Sequence, residues 1–414
     1  MMNESFDITI VGAGLAGSAL ACALSVAATA QSAPLRIALV EAQTVKKDWP
    51  SCDENINGFD SRVSALTVAS QAFLTEIGVW PAIIQQRVSP FEKMQVWDAD
   101  GTGEVSFDAA DVRAPVLGHI VENRVTLAAL VNQLRQAPNV HVFDGQAVKH
   151  LRLPEKSDDE KPQLTLDDGS IIHSTLIVAA DGAHSPLREM SGLTTREWDY
   201  EHDALVCTVA VEQSHKKTAW QRFTSFGPLA FLPLSVKAND QHFCSIVWSQ
   251  TREQTTAAMA MSDEAFCVAL GRAFENRLGR ISACSHRYNY PLQQRHAVDY
   301  AKPGFALVAD AAHSIHPLAG QGINLGLADV KVLSECILAA HKRGQSVGDI
   351  AVLNRYQRQR KGDNLAMMSA VEGFKRLFAP MPLPLRWLRN AGMNVLQQQA
   401  TLKNKIIKYA MGII

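Results

Sequence analysis

The stretch Phe305 to Gly326, FALVADAAHSIHPLAGQGINLG, decides the fold of this chain. It opens with the apolar run FALV, which is typical of a strand buried on both faces of a sheet. Asp310 follows where a parallel strand would end, which is the usual place for ligand-binding side chains in an open α/β sheet. Taken alone, the stretch is equally compatible with an ordinary strand–loop–helix turn, so its meaning depends on the rest of the chain.

The loop after Asp310 has little side-chain bulk, so a large flat ligand can approach its backbone closely. A helix is predicted to begin near Ile323. Its first amide N–H groups would stabilise negative charge on such a ligand. The residues of this candidate ligand loop are Pro317, Gly320, Gln321, Gly322 and Asn324.

The N-terminus repeats the order of strand, turn and helix. Residues Asp7 to Val11, DITIV, predict a strand, and an alanine-rich helix runs to about Ala30. Between them, Gly12, Gly14 and Gly17 match the pattern G-x-G-x-x-G. In that pattern the first glycine makes the tight turn, the second lets a pyrophosphate reach the backbone, and the third lets the helix pack against the strand.

Glu41 completes this N-terminal pattern. It ends a second predicted strand, Arg36 to Val40, where its carboxylate can accept hydrogen bonds from an adenosine ribose. A strand before the glycines, a helix after them and an acid at the end of the next strand predict dinucleotide binding rather than a structural turn. FAD and NAD share this fingerprint, and its position at the N-terminus favours FAD by analogy alone.

A third strand with a polar end lies in the middle of the chain. Thr175 to Ala179, TLIVA, predicts a buried strand that ends in Asp181 and Gly182, and Ser185 and Arg188 come next. Three strand ends of this kind in one chain indicate a shared ligand site rather than packing alone.

Two arginines are further candidates for ligand binding. Arg62 opens a helix predicted to run to about Ile77, where it is either a surface charge or a cation that faces the ligand. Arg124 begins a helix predicted to end at Gln136, where it is either a solvated charge or a phosphate ligand. The residues alone leave both alternatives open.

Two other regions differ in character from these motifs. Met94 to Asp98 and Glu104 to Asp108 predict paired strands, and residues 198–286 predict a mainly antiparallel sheet with many aromatic residues, most of them in the core. From Leu365 to Ile414 the chain is predicted to be helical, with seven Lys and Arg against one acid, Glu372. A basic helix with an apolar face can lie on a membrane, bind a partner or dock onto its own protein.

Composition narrows the class of protein. The formal net charge is −1 at pH 7, which gives no indication of a nucleic-acid partner. The seven cysteines include no Cys-x-x-Cys pair, so we expect neither a zinc site nor a disulfide framework. The apolar run after Gly17 is preceded by Glu4 and Asp7 rather than by basic residues, so we predict no signal peptide. With no run of about 18 apolar residues, we expect no membrane span. The scattered cysteines fit a reducing cytosol, so we expect a cytoplasmic protein.

These elements predict the α/β fold class, with a Rossmann-like FAD-binding domain, an antiparallel-sheet substrate domain and a C-terminal helical segment. The FAD-binding domain is predicted to be discontinuous, over residues 1–80, 112–193 and 290–360. Residues 81–111 and 194–289 would form the substrate domain, and residues 361–414 the C-terminal helical segment.

The three motifs together resemble those of the group A flavoprotein aromatic monooxygenases. They are the G-x-G-x-x-G with Glu41, the segment DGAHSPLR from Asp181 to Arg188, and ADAAHSIHPLAGQGINLG around Asp310. Further stretches, among them SRVSALTVAS, GHIVEN and LAFLPL, are similar to the FAD-dependent hydroxylases of ubiquinone biosynthesis. The resemblance covers nearly the whole chain. Thr218 to Leu234 and the C-terminus look most like enzymes that hydroxylate a demethoxy polyprenyl benzoquinol, and the neighbouring ring-hydroxylation steps stay open.

The resemblance implies a role for each candidate site residue. The ADP half of FAD would be held by Gly12, Gly14, Gly17 and Glu41. Arg62, Val63 and Arg124 would lie along the cofactor. Asp181 belongs to a motif that this family uses for both FAD and the pyridine nucleotide. Asp310 would bind the ribityl or pyrophosphate region of FAD. The isoalloxazine ring would be framed by Pro317, Gly320, Gln321, Gly322, Ile323 and Asn324.

The chain departs from the family at one position, because Ala309 precedes Asp310 where the family has glycine. Either the added methyl group crowds the backbone, or the position does not require the positive φ that glycine favours.

The resemblance implies an enzyme, an FAD-dependent monooxygenase that hydroxylates the ring of a polyprenylated phenol or benzoquinol with O₂, through a flavin C4a-hydroperoxide. NAD(P)H is the electron donor that it implies. We expect no catalytic triad, since the flavin carries the chemistry. His313 and His316 either aid proton transfer or pack the cofactor loop.

The expected partners are the prenylated lipid substrate, O₂, a ubiquinone-biosynthesis protein complex, and a membrane surface contacted by the C-terminal helices. Three alternative functions stay open: a different aromatic hydroxylase, a flavin-dependent reductase or oxidase, and a flavin-binding structural subunit of the complex.

Overall fold

A computed structural model describes residues 3–28, 34–46, 48–154, 160–236, 242–314, 322–379 and 381–413 of the chain. The strands in these ranges are β1 (Asn3–Val11), β2 (Ile37–Glu41), β3 (Val63–Thr67), β4 (Val88–Phe91), β5 (Lys93–Asp98), β6 (Glu104–Asp108), β7 (Gly118–Glu122), β8 (Val140–Asp144), β9 (Val148–Arg152), β10 (Gln163–Leu166), β11 (Ile171–Ala179), β12 (Thr195–Val211), β13 (Thr218–Thr224), β14 (Gly227–Leu234), β15 (Phe243–Thr251), β16 (Ile281–Cys284), β17 (Tyr288–Ala297), β18 (Ala301–Lys302), β19 (Phe305–Leu307) and β20 (His313–Ser314).

The helices in the same ranges are α1 (Leu15–Ala28), α2 (Val68–Glu76), α3 (Trp80–Ile84), α4 (Asn123–Leu134), α5 (Pro186–Met190), α6 (Arg252–Ala260), α7 (Asp263–Ala273), α8 (Gly322–Lys342), α9 (Ile350–Phe378), α10 (Leu383–Gln398) and α11 (Ala400–Ala410).

The first sheet has parallel strands at its centre, in the order β8–β2–β1–β11–β19. Antiparallel strands extend it, with β18 beside β19 and the pair β9–β10 beside β11. The side chains of β2 and β19 are almost wholly buried, as the apolar runs predicted, and α1, α4 and α8 pack against the sheet in the same core. The Rossmann-like part of the predicted fold class is therefore confirmed.

The second sheet runs in the order β20–β17–β12–β15–β14–β13–β5–β6. Its neighbours are antiparallel except β13 and β5, and the predicted pair of strands at residues 94–108 forms its edge. The aromatic residues Trp97, Phe231 and Phe274 pack together in the core on one face of this sheet. The mainly antiparallel second layer is thus confirmed as well.

The helix predicted from Arg62 to Ile77 is wrong in its first part. Residues Val63–Thr67 form β3, which pairs with β7 in a small antiparallel sheet completed by β4. The helix starts only at Val68, because the Thr67 hydroxyl caps it by accepting a hydrogen bond from the Ser70 N–H at 3.2 Å. Pairing with a distant strand therefore overrides the local preference for helix.

The C-terminal helices pack against the second sheet. In α10, the buried Arg389 side chain donates a hydrogen bond to Asp98 of β5 at 2.7 Å, and Asn390 donates to the same carboxylate at 3.0 Å. These contacts dock one face of α10 onto the β5–β6 hairpin. Among the helices of the described ranges, we find none that combines the length and apolar character needed to cross a bilayer.

Candidate active site

The register of the first sheet brings the three predicted strand ends together. Val11 pairs with Ala179, and Ala179 pairs with Leu307, in parallel ladders. Because these strands end level with one another, the turns that follow them lie side by side at one edge of the sheet. This edge is where ligands bind in open α/β sheets.

The glycines of the first turn divide into two that allow close packing and one that faces open space. Gly12 has φ of +103°, and a Cβ atom there would lie 2.4 Å from the Ala180 carbonyl oxygen. A Cβ atom on Gly17 would lie 1.9 Å from the Gly12 carbonyl oxygen, so α1 approaches the turn as closely as predicted. By contrast, no described atom lies within 4 Å of a Cβ placed on Gly14.

Glu41 lies at the end of β2, beside this turn. Its carboxylate accepts a hydrogen bond from the Ala13 N–H at 2.7 Å and another from the Gln43 N–H at 2.9 Å. The carboxylate is thus fixed against the glycine turn, where it borders the cleft described below.

The turn after β11 is tied to the turn after β19 by an arginine whose role the sequence did not reveal. The Arg188 guanidinium is buried and donates to the carbonyl oxygens of Ala183 at 3.0 Å and Ala311 at 2.9 Å. The Asp181 carboxylate accepts a hydrogen bond from the Leu187 N–H at 3.2 Å, and burial raises its pKa above the usual range. Arg188 therefore keeps two of the three turns in register.

The turn after β19 adopts the strained backbone that the family glycine would relieve. Ala309 has φ of +52°, so the position does require a left-handed conformation. Its methyl group packs against Gly326 of α8, where a Cβ atom would lie 2.8 Å from it. Asp310 follows with its side chain open to the cleft, and the surrounding walls withdraw its carboxyl from bulk water and raise its pKa.

A buried carboxylate, Asp329 of α8, fixes the turn after β19 through hydrogen bonds. It accepts hydrogen bonds from the Ala309 N–H at 3.2 Å and from the His313 ring, and from Arg360 of α9 at 2.8 Å. Burial opposes its ionisation, but His313 and Arg360 keep its pKa below the usual range. His313, one of the two predicted loop histidines, thus serves as a partner of Asp329, and His316 lies outside the described residues.

The two candidate arginines lie next to each other at the edge of the cleft. Asp60 accepts hydrogen bonds from the backbone N–H groups of Arg62 at 3.1 Å and Arg124 at 3.2 Å. The Arg124 side chain also donates to Glu122 at 2.9 Å, whereas the Arg62 side chain is exposed.

Glu122 is a site residue that sequence reasoning missed. This buried carboxylate also accepts a hydrogen bond from the buried Arg87 at 2.7 Å. The stretch GHIVEN carried the signal, since it places an acid at the end of a buried strand.

The residues of the predicted flavin-ring loop lie in different places in the structure. Gly322 and Ile323 line the cleft at the start of α8. The buried Asn324 side chain instead bonds to the Thr67 N–H at 3.0 Å and to the Ala65 carbonyl oxygen at 2.8 Å, so it ties α8 to β3. Pro317, Gly320 and Gln321 lie outside the described residues.

Together these turns border one cleft of about 860 Å³. The predicted site residues that line it are Gly14, Glu41, Arg62, Val63, Arg124, Asp310, Gly322 and Ile323.

The cleft fits a dinucleotide such as FAD. At Gly14, Gly182 and Gly322, one glycine in each of its turns, a Cβ atom would meet no described atom within 4 Å. The first residues of α1 and α8 line the same space, and the N-terminus of a helix stabilises anionic groups such as a phosphate or a reduced flavin ring.

A second cavity, of about 660 Å³, lies further along β3 and is almost wholly apolar. Val63 and Ser64 of β3 line the first cleft, whereas Ala65, Leu66 and Thr67 line the cavity. The second sheet and helices α9, α10 and α11 supply its other walls. Successive residues of β3 therefore line a cleft that fits a dinucleotide and a pocket that fits an apolar molecule.

Comparisons with known proteins agree with this geometry. A family profile described as an FAD binding domain matches residues 5–370. The 3-demethoxyubiquinol 3-hydroxylase of Escherichia coli (strain K12) is 34% identical over 421 residues, with 100% of both chains covered. The mitochondrial ubiquinone biosynthesis monooxygenase COQ6 of Danio rerio is 32% identical over 448 residues, with 99% of this chain and 90% of that one covered.

A solved structure shares the fold. The p-nitrophenol 4-monooxygenase PnpA of Pseudomonas putida DLL-E4 superposes with a TM-score of 0.76 at 18% identity, with 99% of each chain covered. The matching profile and relatives show that this chain is a member of the FAD-binding-domain family of FAD-dependent monooxygenases, the family that includes the hydroxylases of ubiquinone biosynthesis.

Proposed function

We propose that the protein hydroxylates the ring of a demethoxy polyprenyl benzoquinol in ubiquinone biosynthesis, with O₂ and with electrons from NAD(P)H. The observation that carries the proposal is the position of the apolar cavity, which adjoins the dinucleotide cleft along β3. The relative from Escherichia coli, similar over the whole chain, supports the demethoxy step. Another ring hydroxylation of the same pathway is the alternative.

FAD, when bound, supplies the chemistry that activates O₂ and transfers one oxygen atom. The chain's own residues would hold and orient the reactants. Gly14 leaves room for the pyrophosphate, Glu41 borders the ribose position, and the first N–H groups of α8 stabilise negative charge at the ring. The apolar walls of the cavity exclude water from the reacting ring.

The family resemblance supports NAD(P)H as the donor, through the Asp181 motif. Arg295 and His184 lie beside this motif: Arg295 donates to the Ala183 carbonyl oxygen at 3.0 Å and lies 3.1 Å from the His184 ring nitrogen. Both side chains line the cleft, where a cation suits a nucleotide phosphate.

The division of the chain into an FAD-binding domain, a substrate domain and a C-terminal helical segment is part of the proposal. We propose that the first sheet holds the cofactor and the second sheet the lipid.

Mass spectrometry of the quinone lipids in cells that lack the gene tests the proposed step. We expect a methylated polyprenyl quinol that lacks one methoxy group to accumulate, and the wild-type gene to restore ubiquinone. An intermediate that lacks a different ring oxygen would move the proposal to a neighbouring step. Normal ubiquinone with no intermediate would contradict the proposal.

We also propose that the protein receives its substrate at a membrane surface, through the free face of α10. This face exposes Leu383 by 68%, Trp387 by 78% and Leu388 by 70%. Leu385 and Leu388 line the apolar cavity as well, so the exposed surface is continuous with the cavity. An apolar ridge that joins a lipid-sized pocket suits a bilayer.

Only part of the predicted basic charge supports this membrane contact. Arg389 is paired with Asp98, Lys403 with Asp111 at 3.0 Å, and Arg376 with Glu372. The remaining basic residues on the outer surface of α11 are Lys405 and Lys408, both exposed. They would attract anionic headgroups.

Flotation with vesicles tests the contact directly. We expect the protein to float with vesicles that contain an anionic phospholipid, and to float less when Trp387→Ser and Leu388→Ser are combined. Trp198→Ser, which removes a tryptophan exposed on the second sheet, is the control and should change nothing. The membrane contact is wrong if the wild-type protein does not float. If, in addition, the double variant loses association with the other proteins of the pathway, α10 is a protein-binding surface instead.

A further inference from the structure

The apolar cavity contains one buried amide side chain, Gln221 of β13. Gln221 is 3% exposed and lines the cavity together with Ala219 and Phe223, its neighbours two residues away. Because side chains alternate along a strand, these three residues share the face that forms the cavity wall. Trp220, which also borders the cavity, has its ring packed against Trp97 and Phe274.

The Gln221 side chain makes no hydrogen bond to any residue of the described ranges, whereas Thr67 and Arg389 of the same cavity wall are bonded to other side chains. The Thr67 hydroxyl bonds to Ser70, and the Arg389 guanidinium bonds to Asp98. A buried amide without a partner destabilises a fold unless something satisfies it. The cavity space is where such a partner can lie.

The position of Gln221 along the cavity indicates which part of a ligand would meet it. It pairs with Ala230 of β14, which packs in one cluster with Ala65 of β3, beside the cofactor cleft. Two residues further along, Phe223 packs with Phe378 and Met393 beneath α9 and α10. Gln221 therefore lies between the end that borders the cleft and the end that α10 covers.

We propose that the Gln221 amide forms a hydrogen bond with an oxygen of the substrate's ring and so fixes which ring carbon faces the cofactor. This assignment rests on the proposed function of the same site. An amide can donate to a methoxy or carbonyl oxygen and can accept from a hydroxyl, so it suits the oxygens of a quinol. The apolar tail would then extend past Phe223 towards α10.

Gln221 would act as a specificity residue. It would orient the ring without taking a proton, since its amide does not titrate. An apolar wall could not distinguish two orientations of a ring that differ by the position of one oxygen, whereas a buried hydrogen-bonding group rejects the orientation that leaves it unpaired.

The test compares Gln221→Leu with the wild type, both loaded with FAD, on a demethoxy polyprenyl quinol. We expect the FAD content to be unchanged, kcat/KM to fall roughly 10- to 100-fold, and more of the consumed NAD(P)H to yield hydrogen peroxide instead of product. Such a quinol has a single unsubstituted ring carbon, so any product is one isomer. The signature that a purely structural role would not give is therefore the loss of coupling, with more hydrogen peroxide per NAD(P)H, at an unchanged FAD content.

Gln250→Leu is the matched control. Gln250 is a buried glutamine in β15 that does not line the cavity, and its replacement should leave kcat/KM and coupling unchanged.

Quinol binding, measured by quenching of flavin fluorescence, separates failure of this inference from failure of the proposed function. If Gln221→Leu binds the quinol, couples and hydroxylates as the wild type does, the inferred contact is wrong and the proposed function stands. If neither protein forms product but only Gln221→Leu binds the quinol more weakly, the contact stands and the proposed reaction is wrong.

Discussion

Asp329 accepts a hydrogen bond from the backbone N–H of Ala309 at 3.2 Å, so a carboxylate buried in α8 holds the turn that presents Asp310 to the cleft. The same carboxylate is the partner of Arg360, which is also buried. Asp329→Asn keeps the shape but removes the buried partner of the arginine charge and leaves it only the exposed Asp363. We expect the free energy of unfolding to fall by about 3–5 kcal/mol, and FAD to bind more weakly because the turn loosens.

Denaturant unfolding of the FAD-free protein and titration with FAD measure the two effects. Asp363→Asn is the control, because Asp363 pairs with the same Arg360 but is 68% exposed, and its loss should cost less than about 1 kcal/mol. Equal effects of the two variants would mean that Asp329 does not organise the turn.

Ala309 lies in the left-handed region at φ of +52°, which predicts that glycine would stabilise this turn. The relief of left-handed strain outweighs the greater entropy of an unfolded glycine, so Ala309→Gly should raise the free energy of unfolding by about 0.5–1 kcal/mol. Ala312→Gly is the matched control, since Ala312 is buried at φ of −92° and should lose stability by a similar amount. A loss of stability in Ala309→Gly would show that the backbone there is not strained.

Substitutions at two glycines of the first turn should impair different properties, FAD binding at Gly14 and stability of the fold at Gly17. Gly14→Val places its side chain in open space, so the FAD-free protein should stay within about 0.5 kcal/mol of the wild type while FAD binding is lost. Gly17→Val drives a side chain into the Gly12 carbonyl oxygen and should destabilise the fold itself.

Calorimetry and flavin absorbance of purified Gly14→Val and Gly17→Val distinguish these outcomes. Bound flavin in a folded Gly14→Val would contradict the assignment of this turn to the pyrophosphate. Normal ubiquinone synthesis by a Gly14→Val protein without flavin would support a structural role instead of catalysis.

His296 predicts a specific pH dependence of stability. Burial, together with the nearby His313, Lys361 and Arg196, lowers the pKa of His296 to about 4. An unfolded histidine titrates near pH 6.5, so the unfolded state binds the extra proton first. The stability that the neutral ring contributes is present above about pH 6.5 and is lost between that pH and about pH 4, by about 1.4 kcal/mol for each pH unit.

Unfolding in denaturant from pH 7 to pH 4.5, with His296→Gln as the comparison, measures this contribution. The difference in stability between wild type and variant should shrink as the pH falls. A difference that stays constant with pH would mean that His296 is already protonated, or solvated, in the folded protein.

The sequence predicted those parts of the site that depend on contiguous residues. Each of the three strand ends combines an apolar run, a turn with glycine or aspartate, and a helix start, and all of these are local signals. The placement of Gly14, Glu41 and Asp310 on one cleft follows from parallel strands that end together. The prediction of a helix from Arg62 to Ile77 was wrong in its first part, because β3 forms by pairing with β7. That strand lies about 55 residues away, and no local pattern reveals the pairing.

The residues that the sequence did not reveal act through contacts between distant segments. Glu122 reaches back to Arg87, Arg188 bridges to Ala311, and Asp329 joins two helices to a turn. A buried charge looks like a surface charge in the sequence until its partner is known. Gln221 differs, because its side chain has no partner within the described part of the chain and lines the apolar cavity.

The most direct test of the central claim is a reaction of the purified, FAD-loaded protein with a demethoxy polyprenyl quinol, NAD(P)H and isotopically heavy O₂, followed by mass spectrometry of the lipid. The account predicts a quinol that carries one additional hydroxyl group whose oxygen atom comes from the heavy O₂. Oxidation of NAD(P)H with release of hydrogen peroxide and an unchanged quinol, or a hydroxyl oxygen that comes from water, would contradict it.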